Sequence, residues 1–254
     1  MSVRLHALTC GWLEGTLGLF LDGEHGRLRV PVPVFLIEHP RGRVVFDAGL
    51  HPDARRDPDG RLGATAAGLY DVELGDDEHV GARLAALGVD PAGVDLLLVS
   101  HLHFDHVCGA ALLPNARLVV QEPEWHAGRD ADLCARNYYR AIDYDVGHAV
   151  ETVLGEHDVF GDGRVVCVPT YGHTPGHQSL RVRLDDGREV VLTADACYLR
   201  RTLETRHLPP IVFDRDAMLA SLERLRALRA AGAELVYGHD PEAWQRIPQA
   251  PASL

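Results

Sequence analysis

His101-Leu102-His103-Phe104-Asp105-His106 follows the apolar run Leu96-Leu97-Leu98-Val99 after a single serine. The apolar run is typical of a buried strand, so three imidazoles and a carboxylate lie where that strand ends. Neutral imidazole and carboxylate are the ligands that borderline divalent metals prefer. Residues two apart in an extended segment point the same way, so His101 and His103 can bind one ion together. Asp105 and His106 lie beyond the bend and are free to bind a second ion.

Three further candidate ligands also lie where an apolar run ends. They are His173 after Val165–Val168, Asp195 after Val190–Ala194, and His239 after Leu235–Gly238. Rigid strand ends hold side chains in place better than loops do, which favours a shared site at one edge of a sheet. Five histidines and two aspartates are too many for one tetrahedral ion and suit two ions. A carboxylate has two oxygens and can bridge them, and Asp195 is the better candidate because Asp105 belongs to the turn.

Bulk composition excludes several classes of protein. The chain has 254 residues and a formal charge of −12, which argues against a nucleic-acid partner. No apolar stretch is long enough for a membrane span, and the first residues lack a signal-peptide pattern. The five cysteines are spread out and contain no C-x-x-C pair, which favours a reduced, cytoplasmic setting over a disulfide framework.

The pattern of elements predicts a layered α/β fold, because the chain is rich in strands and several helices follow strands. A flexible polar loop is predicted over Pro52–Arg61. Helices are predicted over Asp76–Leu87 and from Asp214 or Asp216 to a stop at Gly232. The remaining predicted elements are a hairpin within Pro31–Asp47, a strand over Leu118–Gln121, a helix opening at Pro123, a hairpin of Leu180–Leu184 with Val190–Ala194, and a last strand over Leu235–Tyr237.

The stretch His101–His106 matches the H-x-H-x-D-H signature of the metallo-β-lactamase superfamily. Three later stretches resemble its N-acyl homoserine lactonase branch: Gly172–Leu180, Leu192–Tyr198 and Tyr237–Asp240. The similarity runs from about Val30 to about Asp240. The signature alone indicates the superfamily, and Asp195-x-x-Tyr198 together with Phe104 points to the lactonases.

The resemblance implies an α/β fold of the four-layer αββα sandwich type, with residues 1–254 forming one hydrolase domain. It also implies a centre of two divalent ions, zinc first, with cobalt, iron or manganese as alternatives. One ion would bind His101, His103 and His173, the other Asp105, His106 and His239, and Asp195 would bridge them. Cys108 stands where the family usually has Ala or Gly, and Trp12–Arg29 has no clear match, which leaves the acyl-chain preference open.

The implied activity is the opening of the lactone ring of N-acyl homoserine lactones, which quenches a bacterial signal. A hydroxide bridging the two ions would attack the carbonyl. Tyr198 would donate a hydrogen bond to the developing oxyanion, and Asp105 would pass a proton to the leaving alkoxide. Phe104 and Tyr198 would contact the substrate, with Leu102 either beside them or in the core. The expected partner is a small lactone and the expected assembly a monomer or homodimer.

Other functions remain open at this level. The same fold could act on another lactone, such as a pyridoxolactone, or on a thioester, as in glyoxalase II. Glyoxalase II relatives bring a basic C-terminal patch, whereas Ala243–Leu254 offers only Arg246. β-Lactam hydrolysis, di-iron redox chemistry and a metal-stabilised binding module are disfavoured by the ligand set. His177 is predicted to be a turn residue or a support for a ligand, and Cys108 and Cys197 are candidates for oxidation.

Overall fold

Two β-sheets lie face to face between outer helices in the computed structural model, which describes residues 2–254. The seven-stranded first sheet has the order β4-β1-β2-β3-β5-β6-β7. Its strands are β1 Arg4–Thr16, β2 Arg27–His39, β3 Gly42–Phe46, β4 Asp71–Glu73, β5 Leu96–Leu98, β6 Arg117–Gln121 and β7 Val150–Val153. The five-stranded second sheet has the order β12-β11-β10-β9-β8. Its strands are β8 His157–Asp158, β9 Val165–Pro169, β10 Gln178–Arg183, β11 Glu189–Leu192 and β12 Glu234–Val236.

The alternation of side chains along each strand produces the layers. In β2, Phe35 and Ile37 pack with residues of the second sheet, whereas Val34 and Leu36 pack with the helices on the other side. Because successive residues of a strand point to opposite faces, one apolar strand supplies two separate cores. The strand Val165–Pro169 contributes Val165 to the core between the sheets.

Helices cover both outer faces of the pair of sheets. The helices are α1 Asp53–Arg56, α2 Pro58–Leu62, α3 Ala64–Leu69, α4 Val80–Ala86, α5 Phe104–Val107, α6 Glu122–Ala127, α7 Ala131–Asn137, α8 Ala141–Tyr144, α9 Arg200–Thr205, α10 Arg215–Ala230 and α11 Pro241–Trp244. Val80 and Leu84 of α4 pack on the first sheet, and Met218, Leu222 and Leu225 of α10 pack with Val191 of the second. The four-layer αββα sandwich expected from the resemblance is confirmed.

Strand direction brings the ends of several strands to one edge. β3 and β5 are parallel neighbours in the first sheet, with Phe46 opposite Leu98. β11 and β12 are parallel in the second sheet. β10 is antiparallel to β9 and to β11, so β9 runs in the same direction as β11 and β12. The residues that follow β5 of the first sheet and β9, β11 and β12 of the second meet at one edge of the sandwich, as the sequence predicted.

Two predictions about elements need correction. The loop predicted over Pro52–Arg61 is wrong, because α1 and α2 occupy it. Asp57 accepts a hydrogen bond from the Gly60 amide at the start of α2 (3.0 Å), and Arg61 is buried within 3.5 Å of Asp143. The helix predicted from Asp76 begins only at Val80, where the His79 side chain caps it.

Other expectations about elements agree with the structure. The side chain of Asp214 caps α10 by accepting from the Ala217 amide at 2.9 Å. Both predicted hairpins form, as β2 with β3 and β10 with β11. None of the helices in residues 2–254 combines the length and apolar character needed to cross a membrane.

Candidate metal centre

Seven side chains that the sequence singled out come together at the edge where the strands end. They form two clusters that could each hold a metal ion: a first cluster of His101, His103, His173 and Asp195, and a second cluster of Asp105, His106 and His239. Within each cluster the ligand atoms lie within 4.8 Å of one another. Each cluster combines residues that follow β5 of the first sheet with residues that follow strands of the second sheet.

The first cluster is a set of converging imidazole nitrogens. Nε2 of His101 lies 2.9 Å from Nδ1 of His103, and Nε2 of His173 lies 3.0 Å from the same atom. Oδ2 of Asp195 lies 3.3 Å from Nε2 of His173 and 3.6 Å from Nε2 of His101. Three nitrogens and one carboxylate oxygen therefore surround one small volume.

The second cluster shares the same aspartate. Nε2 of His106 and Nε2 of His239 each lie 3.1 Å from Oδ1 of Asp195. Both nitrogens also lie 3.5 Å from Oδ2 of Asp105. Because its two oxygens face different clusters, Asp195 has the placement that a bridging carboxylate needs.

The hydrogen bonds behind the imidazoles fix which nitrogens carry protons. Nε2 of His103 donates to the Asn137 carbonyl (2.9 Å), and Nδ1 of His239 donates to the Pro31 carbonyl (2.9 Å). Since carbonyl oxygens only accept, the opposite nitrogens of these rings direct lone pairs into the clusters.

Asp47 fixes the position of the proton on two more rings, His106 directly and His101 through Ser100. Its Oδ2 accepts from Nδ1 of His106 (2.8 Å) and from the Ser100 hydroxyl (2.9 Å). The Ser100 oxygen can then accept from Nδ1 of His101 (2.9 Å), which leaves Nε2 of His101 with its lone pair.

Lone pairs and carboxylate oxygens thus face one another with no donor between them. Nε2 of His106 and Oδ1 of Asp195 are buried and have no hydrogen-bond partner within residues 2–254. Such a set is stable around a positive charge, and the donors match those that divalent zinc and its neighbours prefer. The residues therefore fit two metal ions.

Electrostatics at the clusters agree with this fit. Burial, with the neighbouring imidazoles, lowers the pKa of His101 well below its ordinary value and that of His103 to about 3, so both rings are neutral. Burial also lowers the pKa of His106, but the carboxylates of Asp195, Asp105 and Asp47 outweigh it and raise that pKa well above its ordinary value. The second cluster therefore calls for positive charge, which a proton or a cation supplies.

Asp47 and Ser100 hydrogen-bond to imidazoles of the clusters, and the sequence analysis missed both. Asp47 follows the apolar strand β3 just as the predicted ligands follow theirs, so the same signal was available. Its backbone has φ 61°, an uncommon conformation that turns the chain sharply beside the site. Residues of this kind orient ligating imidazoles from behind.

His177 lies behind the centre, as the sequence predicted. Its Nε2 accepts from the Asp195 amide at 3.1 Å, so its Nδ1 carries the proton and donates to the Thr170 hydroxyl at 2.9 Å. His177 therefore holds the backbone of Asp195 and has no lone pair free for a metal.

A cavity of about 90 Å³ opens beside the clusters. Phe104 and Tyr198 line it, as do Leu19, Phe20 and Ile211. Leu102 does not line it, because its side chain is fully buried in the core under the first sheet. Apart from the histidines and aspartates of the two clusters, the walls are mainly apolar, which suits a ligand with one reactive polar end and one apolar end.

Comparison with known proteins places this geometry in a family. The model of the metallo-beta-lactamase superfamily matches residues 27–239. The chain is 35% identical to the N-acyl homoserine lactonase AttM of Azorhizobium caulinodans over 98% of each chain. It superposes with a TM-score of 0.88, at 25% identity over all of both chains, on an N-acyl homoserine lactone hydrolase with the product N-hexanoyl-L-homoserine at its catalytic metal centre. AidC, a dizinc quorum-quenching lactonase, shares the fold at 15% identity and a TM-score of 0.70.

Proposed function

The chain belongs to the metallo-β-lactamase superfamily, in its N-acyl homoserine lactonase branch, and on this premise we propose that it hydrolyses the lactone ring of N-acyl homoserine lactones. The observation that carries the proposal is the pair of clusters joined by Asp195 at the floor of an apolar cavity. The reaction breaks the ester bond of the ring, adds water, and yields the open N-acyl homoserine.

We propose that the first cluster and the second cluster each hold one divalent ion, with zinc the expected metal. Bound ions of this kind polarise a carbonyl oxygen and acidify water, so that a nucleophile is available near neutral pH. Asp195 would hold the two clusters at a fixed distance from each other, because each of its oxygens lies 3.1–3.3 Å from an imidazole nitrogen of a different cluster.

Tyr198 would stabilise the oxyanion that develops when the ring carbonyl is attacked. Its ring centroid lies 5.5 Å from that of His173 and 5.4 Å from that of His239, so the side chain spans both clusters. Burial raises the pKa of Tyr198 well above its ordinary value, with help from the carboxylates of Asp195 and Asp105. The phenol therefore keeps its proton and can donate a hydrogen bond.

Asp105 would return a proton to the leaving alkoxide. One of its oxygens, Oδ2, lies equally close to His106 and His239, at 3.5 Å from each. The other carboxylate oxygen can take a proton from the attacking water and deliver it to the ring oxygen as the bond breaks.

The cavity favours an uncharged substrate over the anionic glutathione thioester of glyoxalase II. No arginine or lysine lies among the residues of the described chain that line it, whereas an anionic substrate needs cationic partners. Free thiols at all five cysteines support the further proposal that the protein works in the reducing cytoplasm.

The decisive experiment offers the zinc-loaded protein N-hexanoyl homoserine lactone and an uncharged thioester side by side. Mass spectrometry of the products should show the ring-opened acid as the main product. His106→Ala should lose this activity and bind less metal, and the matched control His126→Ala, an exposed histidine of α6, should keep both. Rapid thioester hydrolysis with the lactone left intact by the protein carrying two ions would overturn the proposal.

A further inference from the structure

We propose that Glu124 is a positioning residue that fixes the geometry of the first cluster and so sets how tightly that cluster binds its ion. The inference deepens the proposed function and rests on its metal centre. Glu124 lies in the first turn of α6, directly after β6, and its side chain is fully buried.

Four donors surround the carboxylate of Glu124. Oε1 accepts from the Leu102 amide at 3.0 Å and from the Tyr139 hydroxyl at 2.5 Å. Oε2 accepts from the Thr174 hydroxyl and from the Gly176 amide, both at 2.8 Å. A carboxylate has four acceptor positions, so all of them are used.

Three of these donors belong to the two segments that carry the imidazoles of the first cluster. Leu102 lies between His101 and His103, and Thr174 directly follows His173. The Tyr139 ring also packs edge-on against His103, with centroids 5.5 Å apart. The buried side chain of Glu124 therefore links the segment that follows β5 of the first sheet to the segment that follows β9 of the second sheet.

Among the imidazoles, His173 depends most on these hydrogen bonds of Glu124 for its orientation. The other four imidazoles of the two clusters each hydrogen-bond through the nitrogen that faces away from the site. Nδ1 of His173 is buried and has no hydrogen-bond partner within residues 2–254. Its orientation must come from the backbone of its loop, where Phe213 donates to the His173 carbonyl at 3.1 Å and Glu124 holds the next residues.

The second cluster is supported without any contact from Glu124. Asp47 holds His106, and the Pro31 carbonyl holds His239. Each hydrogen bond that Glu124 makes goes to Leu102, Tyr139, Thr174 or Gly176, none of which belongs to that cluster. Loss of Glu124 should therefore weaken one of the two ion sites more than the other.

The site requires a carboxylate and rejects an amide of the same size. Each oxygen of Glu124 faces one backbone N–H, from Leu102 or from Gly176, and a backbone N–H cannot reverse its direction. A glutamine in either orientation would point its NH₂ group at one of these amides and leave that amide N–H without an acceptor. Glu124→Gln is thus a change in hydrogen bonding with almost no change in shape.

The test is a titration of the metal-free protein with Co²⁺, followed by visible absorption and by competition with a chelator. The wild type should bind two equivalents. Glu124→Gln should bind one equivalent about 10–100-fold more weakly, with a changed absorption band for that site, and bind the other as the wild type does. The matched control Glu122→Gln removes a carboxylate from the solvent-facing side of the same helix and should titrate like the wild type.

Thr174→Val provides a milder variant if Glu124→Gln does not fold, which circular dichroism would reveal. It removes one hydroxyl donor at nearly constant volume and should weaken the same equivalent by about 2–10-fold. Unchanged binding of both equivalents in a folded Glu124→Gln protein, or in Thr174→Val where the first variant is unfolded, would overturn the inference. Equal weakening of both equivalents would also overturn it. The titration involves no lactone, so its result is independent of whether the protein opens lactones.

Discussion

At the scale of single residues, Tyr198 is where the proposed oxyanion stabilisation can be tested apart from the proposed metal binding. Its ring contacts the imidazoles of both clusters, yet its hydroxyl is not needed to complete either one. Tyr198→Phe should lower kcat on the order of 100-fold, the effect typical of losing one oxyanion donor, and leave two ions bound. Steady-state kinetics combined with metal analysis checks this. A kcat equal to that of the wild type would rule out the proposed role.

Cys108 and Cys197 lie close to the site but are chemically protected. Burial raises the pKa of the Cys108 thiol to about 12 and that of Cys197 further still. Each thiol also donates a hydrogen bond, Cys108 to Asp143 and Cys197 to the Leu199 carbonyl, both at 3.3 Å. The thiolate is the reactive form, so neither residue should react near neutral pH.

Alkylation of the native protein followed by peptide mass spectrometry measures this protection. Cys134, which is only half-buried, should be the labelled cysteine, and all five should be labelled after unfolding. Modification of Cys108 or Cys197 in the native protein, with loss of activity, would restore the oxidation sensitivity considered from the sequence.

The sequence predicted the convergence of the seven metal-binding candidates because each lies in a segment that follows an apolar strand. Their roles as ligands remain a prediction that metal analysis must test. Glu124 could not be found in this way, because its partners come from residues 102, 139, 174 and 176, which only the folded chain brings together. The local sequence pattern predicts where strands end, but it gives no information about contacts between residues that are far apart in sequence.

At the scale of elements, the turn between β9 and β10 depends on Gly172. Its φ is 125°, and a Cβ added there would lie 2.1 Å from the Met218 amide nitrogen at the start of α10. Gly172→Ala should therefore lower the free energy of unfolding by at least about 2 kcal/mol and displace His173. Gly187→Ala is the matched control, because its φ is 88° but nothing lies within 4 Å of the added Cβ.

Denaturant unfolding of the two variants, with metal content measured alongside, distinguishes steric conflict from backbone strain. Gly187→Ala should show only the smaller loss of stability that the left-handed conformation entails. Equal stability losses in the two variants would mean that the approach to α10 is not tight.

The elements that the sequence missed are those shaped by tertiary contacts. The short helices α1 and α2 contain proline, glycine and aspartate, which are typical of loops, and the burial of Arg61 beside Asp143 holds α2 in place. β1 was not predicted because it is buried on both faces along much of its length, so it lacks a clear alternation of polar and apolar residues. Hairpins and the long helix α10 were predictable because their signals are local.

At the scale of the whole molecule, bound metal should contribute to stability. Ions that bind the folded chain and not the unfolded one stabilise it by about 2.7 kcal/mol per site at 100 times the dissociation constant. Chelation should therefore lower Tm, and restoring zinc should recover it. Calorimetry checks this, with His106→Ala, which lacks a complete second cluster, expected to lose less Tm on chelation. An unchanged Tm in the wild type would show that the ions are not linked to folding.

Each sheet is built from one continuous part of the sequence, because the strands of the first sheet, β1 to β7, end at Val153 and those of the second begin with β8 at His157. His101, His103, Asp105 and His106 belong to the first half, and His173, Asp195 and His239 to the second. A protein cut between the halves would give two fragments that each lack part of both clusters. Metal uptake would then report reassembly, because each proposed ion site needs residues from both fragments.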